Sequence, residues 1–197
     1  MSIAPYDYYM TDNLLTDPLS GLVYQDLIPL RWRLLESPPS AIESASREHH
    51  NTEVLRIIAT LDEFADERPG VSSELAHLDF KLNLVLDLVG EIVGYYHDIP
   101  AGAPARLGAQ AIEWESEQAP PAASQVSIEI YLHHNYPHPV VLAGKVKAVS
   151  PLARGNRCLV VFEPLSEQAQ EWLEKIIFLH HRRQVAYSKR NTAGAGN

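Results

Sequence analysis

Three histidines, His133, His134 and His138, fall close together in the chain, with Asn135 among them and Pro137 and Pro139 alternating with the last. Imidazoles at that density could ligate a metal. Their spacing follows no known ligand rhythm, and a prolyl turn is an ordinary place for solvated histidine, so no metal site is expected. The adjacent pairs His49-His50 and His180-His181 fall in helical patterns, where neighbours point about 100° apart and chelate poorly. The single cysteine, Cys158, sits in an apolar run and reads as core. It rules out an intrachain disulfide and a multi-cysteine zinc site. Asp62, Glu63, Asp66 and Glu67 read as a solvated helix face. No nucleophile stands beside a base and no glycine-rich loop could cradle phosphates, so no catalytic residue and no cofactor is assigned, and the chain is not expected to be an enzyme.

Arginine is the other chemical resource. Arg31 and Arg33 alternate with Leu30, Trp32 and Leu34, which places both guanidinium groups on the outer face of a half-buried strand. Arg182 and Arg183, with Lys189 and Arg190, lie near the end of the chain, where they read as a solvated helix end whose cations complement the dipole. Nothing in the sequence brings this second pair beside the first. The first thirty residues hold Asp7, Asp12, Asp17 and Asp26 and no Lys or Arg. A net charge of −9 argues against a nucleic-acid polymer or an acidic membrane as partner. No apolar run reaches the roughly 18 residues of a membrane span, and MSIAPYDYYM lacks a basic region followed by an apolar core. The cytoplasm is the expected compartment.

The elements that carry these residues are legible by period. An irregular arm over 1–22 precedes a single domain over 23–190, and a disordered tail is expected over 191–197. A strand over 23–35 is stopped by Ser37-Pro38-Pro39-Ser40. Ser40 and Glu43 form a capping box that opens a helix running to about Asp66. Its first part, through Arg47, His49 and Asn51, is polar and is expected to protrude. Its apolar stripe is Val54, Ile58, Leu61 and Ala65.

A second helix opens near Ser72 and Ser73. Its Leu75, Leu78, Leu82, Val85, Val89, Ile92 and Tyr96 keep three-four spacing, the seam of a coiled coil. Leu84, Leu86, Leu88 and Val93 lie beside or away from that seam. A helix apolar this far around is buried on more than one side. Self-association is therefore expected, with Val54, Ile58, Leu61, Leu75, Leu78, Leu82, Val85, Val89 and Ile92 as the oligomerisation residues. Gly90 and Gly94 imply fraying or a close approach in its last turns. After Pro100 the period becomes two, with strands expected over 107–116, 126–133, 140–150 and 157–162. A last helix begins near Ser166, with Trp172, Leu173, Ile176, Ile177 and His180 facing the core. The helical segment over 40–98 thus interrupts a five-stranded antiparallel unit closed by a terminal helix.

That order resembles the PilZ domain, and more specifically its atypical, tetrameric type. The segments that carry the resemblance are IPLRWRLLESPP, LAHLDFKLNLVLDLVGEIVG, LGAQAIEW and WLEKIIFLHHRRQVA. It implies an α+β fold: a small antiparallel β-barrel with two inserted, heptad-bearing helices and a C-terminal helix. It also implies a homotetramer built on the inserted helices, unidentified protein partners and a role in cyclic di-GMP signalling. PilZ domains hold that nucleotide through Arg-x-x-x-Arg before the first strand and Asp/Asn-x-Ser-x-x-Gly at the second. No Arg or Lys precedes Arg31 here. The second element aligns with Arg106 to Ala111, where Arg106 replaces the acid, Gly108 the hydroxyl and Ala111 the glycine. No nucleotide-binding residue is assigned, and the usual mode of binding is expected to be lost. The alternative is a true cyclic di-GMP receptor that uses Arg31, Arg33, Arg182 and Arg183.

Overall fold

A computed structural model describes residues 17–66, 73–96 and 98–194. Most of the expected arm (1–16), the link at 67–72 and residues 195–197 lie outside the described residues. The elements are β1 (Tyr24–Leu34), α1 (Ala41–Asp66), α2 (Ser73–Tyr96), β2 (Gly102–Leu107), β3 (Ala111–Ser116), β4 (Gln125–Ile130), β5 (Val140–Pro151), β6 (Asn156–Phe162) and α3 (Glu167–Gly194). The strands form a closed antiparallel barrel in the order β1-β2-β3-β6-β5-β4. β1 closes it, pairing with β2 as far as Pro29 and with β4 from Leu30 onward.

The expected strand over 107–116 is in fact two strands. Residues 108–110 turn the chain, and the Gly108 N–H donates to the Ala111 carbonyl at 2.8 Å. β2 itself begins ahead of the expected strand, at Gly102. Pro104 is tolerated because β2 pairs with β3 only from Ala105 onward, so the missing N–H interrupts no ladder on that side. The barrel accordingly has six strands rather than five. α3 continues to Gly194, so 191–194 are helical rather than part of a tail.

Alternation fills the barrel. Ile28, Leu30, Leu107, Ile112, Trp114, Ile128, Ile130, Leu142 and Val160 point inward and are buried. α1 and α3 pack side by side over this core, contributing Val54, Leu55 and Ile58 from one and Leu173, Ile176 and Ile177 from the other. The first half of α1 does not protrude as its polarity suggests. Asn51 is 2% exposed, and its side-chain amide pairs with the backbone of Val141, donating Nδ2–H to the carbonyl and accepting the N–H at Oδ1, both at 2.8 Å. A buried polar side chain is stable when it makes such bonds, and here it fixes the helix on the outside of β5. Among the described residues no helix is long and apolar enough to cross a membrane.

Candidate functional site

Three surfaces could carry function: the arginine face of β1, the β2–β3 turn, and α2.

On β1, Arg31 and Arg33 point outward, as their phase requires. Their cross-strand neighbours on β4 are Glu129 and Ser127. Arg31 is engaged by the first of these: its Nε donates to the Glu129 carboxylate at 2.6 Å and its Nη2 to the Tyr131 hydroxyl at 2.9 Å. Arg183 lies elsewhere. It pairs with Asp62 at 2.7 Å and also donates to the Asp62 backbone carbonyl at 3.1 Å. Its neighbours on α3, His180 and Gln184, reach the Gln25 carbonyl at the start of β1. Gln25 and Arg31 are six residues apart on one strand, about 20 Å at roughly 3.3 Å per residue. The two arginine pairs do not converge.

Asp62 is therefore not part of a solvated acidic face: it is 7% exposed and holds Arg183 across the α1–α3 seam. Glu63, whose side chain is 47% exposed, pairs with Lys175 of α3 at 2.8 Å. Sequence reasoning missed this junction because partners 121 residues apart leave no local signal. It also contains Tyr24, stacked on His180 with ring centroids 3.6 Å apart. Burial first, then Asp26 and Asp62, push the Tyr24 hydroxyl up to about 12, against the opposing pull of Arg183.

At the β2–β3 turn, the replaced motif is occupied by other contacts. Arg106 pairs across to Glu113 at 3.3 Å. Gly108 lies under Leu19, whose Cδ2 would be 2.9 Å from a Cβ built there. Leu19 is 4% exposed, so residues of the expected arm pack over the place where the family's second element stands. A cavity of about 420 Å³ there is bordered by Asp17 and Glu174, carboxylates unsuited to a dianion.

The histidine cluster is a turn. His133 accepts the Asn135 N–H at Nδ1, 3.2 Å away, and the rings of Tyr136 and His138 lie 4.6 Å apart. Among the described residues no group of three His, Cys, Asp or Glu side chains could hold a metal ion. Cys158 is buried in the core, where burial pushes its thiol up. The turn instead seats α2: a Cβ on Gly90 would lie 3.2 Å from the Asn135 Cα and 3.3 Å from the His134 carbonyl. Gly90 thus marks a close backbone approach. Burial holds the His133 imidazole below its ordinary 6.5, with Arg183 and His134 acting in the same direction and Asp62 and Asp87 opposing. His180 is lowered chiefly by burial as well. A depressed histidine stabilises the fold fully above the unfolded value of 6.5, and the contribution is lost as pH falls from there through the folded value. Melting temperature should therefore drop as the protein is acidified below pH 6.5, and His133→Gln should flatten that slope; an unchanged slope in the variant would place the proton uptake elsewhere.

The oligomerisation residues divide. Val54 and Ile58 are 2% and 0% exposed inside the protomer's own core, because α1 spends its stripe on the barrel and α3; Leu61 is half-buried. Leu75, Leu78, Leu82, Val85, Val89 and Ile92 are exposed on α2, and so are Phe80, Leu84, Leu88 and Tyr95. Among the described residues, α2 packs extensively on no other element.

Residues 55–190 match the family described as atypical PilZ domain, cyclic di-GMP receptor. The chain belongs to that family. The PilZ-like barrel with helical insertions also superposes on a solved structure from Xanthomonas campestris, described as a tetrameric PilZ domain self-assembled through an unusual helical bundle. That match has a TM-score of 0.65 at 23% identity and covers 85% of this chain and 91% of the other. No curated protein matches the chain. Within the family, this PilZ domain carries Arg106, Gly108 and Ala111 where the second nucleotide element belongs.

Proposed function

We propose that this PilZ protein is a non-catalytic regulatory module of cyclic di-GMP signalling, working in the cytoplasm as a homo-oligomer, most simply a tetramer, that displays its barrels to protein partners on a bundle of α2 helices. The observation that carries this reading is the exposure of α2. The large apolar side chains it exposes among the described residues range from 48% exposed at Leu84 and Val89 to 85% at Tyr95. Fully burying one such side chain contributes about 1.5–3 kcal/mol, so a row of them left in water is a strong drive to associate. Apolar residues lie outside the seam as well as on it, which suits a bundle better than a two-stranded coil. The tetrameric Xanthomonas campestris domain and its helical bundle support the same reading. The replaced motif residues and the covering of Gly108 by Leu19 support a module that does not bind cyclic di-GMP in the family's usual way.

Multi-angle light scattering tests the assembly. The expected mass is a multiple of the 22.0 kDa chain, most simply four chains. A mass of one chain at micromolar concentration would overturn it.

A further inference from the structure

We propose that the outer face of α3, along Glu174, Phe178, His181, Arg182 and Val185, is the docking site of the chain's own N-terminal arm, residues 1–16, which lie outside the described residues. Docked there, the arm covers this face of α3 and bars it to other proteins. The inference does not depend on the oligomer.

Spacings of three and four put these side chains on one side of the helix. The opposite side carries Leu173 and Ile176 into the core, whereas Phe178 and Val185 are left 50% and 38% exposed. The position of Asp17 points to the occupant. Asp17 lines one cavity together with Glu174 and Ile177 of α3. From there the chain runs toward the C-terminal half of the helix: the Tyr24 ring stacks on His180, and Gln184 donates to the Gln25 carbonyl at 2.8 Å. Just before, residues 17–20 form a β-turn. The Ser20 N–H donates to the Asp17 carbonyl at 2.9 Å, and the Leu19 N–H donates to Asp17 Oδ1 at 3.0 Å. A β-turn reverses the chain, so the residues ahead of Asp17 approach it from the C-terminal half of α3.

Length and chemistry then match. From Glu174 to Arg182 the helix rises about 12 Å at roughly 1.5 Å per residue. An extended chain covers that distance in about four residues at roughly 3.3 Å each. Counting back from Asp17 sets Leu15 and Leu14 beside Phe178, Asp12 beside His181 and Arg182, and Met10 and Tyr9 beside Val185. The arm holds Asp7 and Asp12 and no Lys or Arg, whereas this half of α3 holds His181, Arg182 and Arg183. Charge complementarity of this kind sets register and excludes wrong partners, and the apolar contacts supply most of the affinity. Glu174, the carboxylate at the start of the stripe, already accepts from the Gln170 side chain at 2.8 Å.

The test is chymotryptic cleavage of the full chain, read by mass spectrometry at Tyr8, Tyr9 and Leu14, with a synthetic peptide of residues 1–16 as the undocked reference. Cleavage of a docked segment tracks the fraction released, so the arm should be cut at least about tenfold more slowly than the peptide. Phe178→Ser and Arg182→Glu should each speed cleavage without lowering the melting temperature, because both side chains are exposed. Leu27→Ser, which removes an equally exposed apolar side chain elsewhere, should not. Asp12→Arg should speed cleavage too, and combining it with Arg182→Glu in one chain should restore protection. Wild-type cleavage at the rate of the peptide, or unchanged cleavage in Phe178→Ser and Arg182→Glu, would overturn the proposal. Protection restored when the Asp12→Arg and Arg182→Glu chains are separate and co-expressed would also overturn it, by placing the arm on a neighbouring copy.

Discussion

Replacing Leu82 and Val89 of α2 with aspartate should reduce the protein to its 22.0 kDa monomer with the barrel intact. In the protomer these side chains are 59% and 48% exposed. A charge placed there meets water, so the isolated chain loses little. In an assembled bundle the same two positions are on the seam, and an unpaired charge removed from water costs several kcal/mol. Each chain of the assembly carries both changes, so the penalty is multiplied by the number of chains. Ile58→Asp makes the contrast. Ile58 is fully buried against the barrel, and a charge there should unfold the protomer itself. Circular dichroism separates the two cases: native signal with a monomer mass for the α2 double variant, and loss of signal for Ile58→Asp. An unchanged elution volume for the double variant would show that α2 is not the interface.

The sequence distinguished the two inserted helices less well than the structure does. Both show apolar stripes, and a stripe says that a face is covered without saying by what. α1 uses its stripe at home because Asn51 clamps its first half to Val141 and Asp62 ties its last turn to Arg183. Neither clamp is visible locally, since each joins residues roughly a hundred positions apart, and both use polar side chains that pattern reading assigns to solvent. α2 was legible because its apolar residues exceed what one face can bury, a property of its own sequence alone. The β2–β3 turn was missed for a different reason. Pro104 and the glycines around it look like a linker, and only the pairing of β2 with β1 makes that stretch a strand. The inward phase of β1 was read from alternation, which needs no knowledge of the partner strand. The face of Arg31 and Arg33 came with it, but the contrast between Glu129 and Ser127 opposite them depends on register, and register is a property of the closed barrel.

Cyclic di-GMP should fail to bind at the concentrations typical of PilZ receptors. The usual site takes its affinity from ionic hydrogen bonds, each contributing roughly 1.5–3 kcal/mol. Without the leading arginines and with Arg106, Gly108 and Ala111 in the second element, about three such bonds are lost, which weakens a micromolar binder by roughly three to six orders of magnitude. Two features of the fold make compensation hard at that place. Leu19 lies on Gly108, and Asp17 and Glu174 border the adjoining cavity, where they repel a dianion. The alternative receptor would need Arg31, Arg33, Arg182 and Arg183 to act together. Arg31 already serves Glu129 and Tyr131, Arg183 already serves Asp62, and the start of β1 near Arg183 is about 20 Å along the strand from Arg31 at roughly 3.3 Å per residue. Isothermal titration of the purified protein decides between them. Saturable, stoichiometric binding at low micromolar nucleotide would overturn the non-binding reading. Loss of that binding in Arg31→Ala, Arg33→Ala, with Arg106→Ala unaffected, would then assign the nucleotide to the outer face of β1 and β4 rather than to the β2–β3 turn.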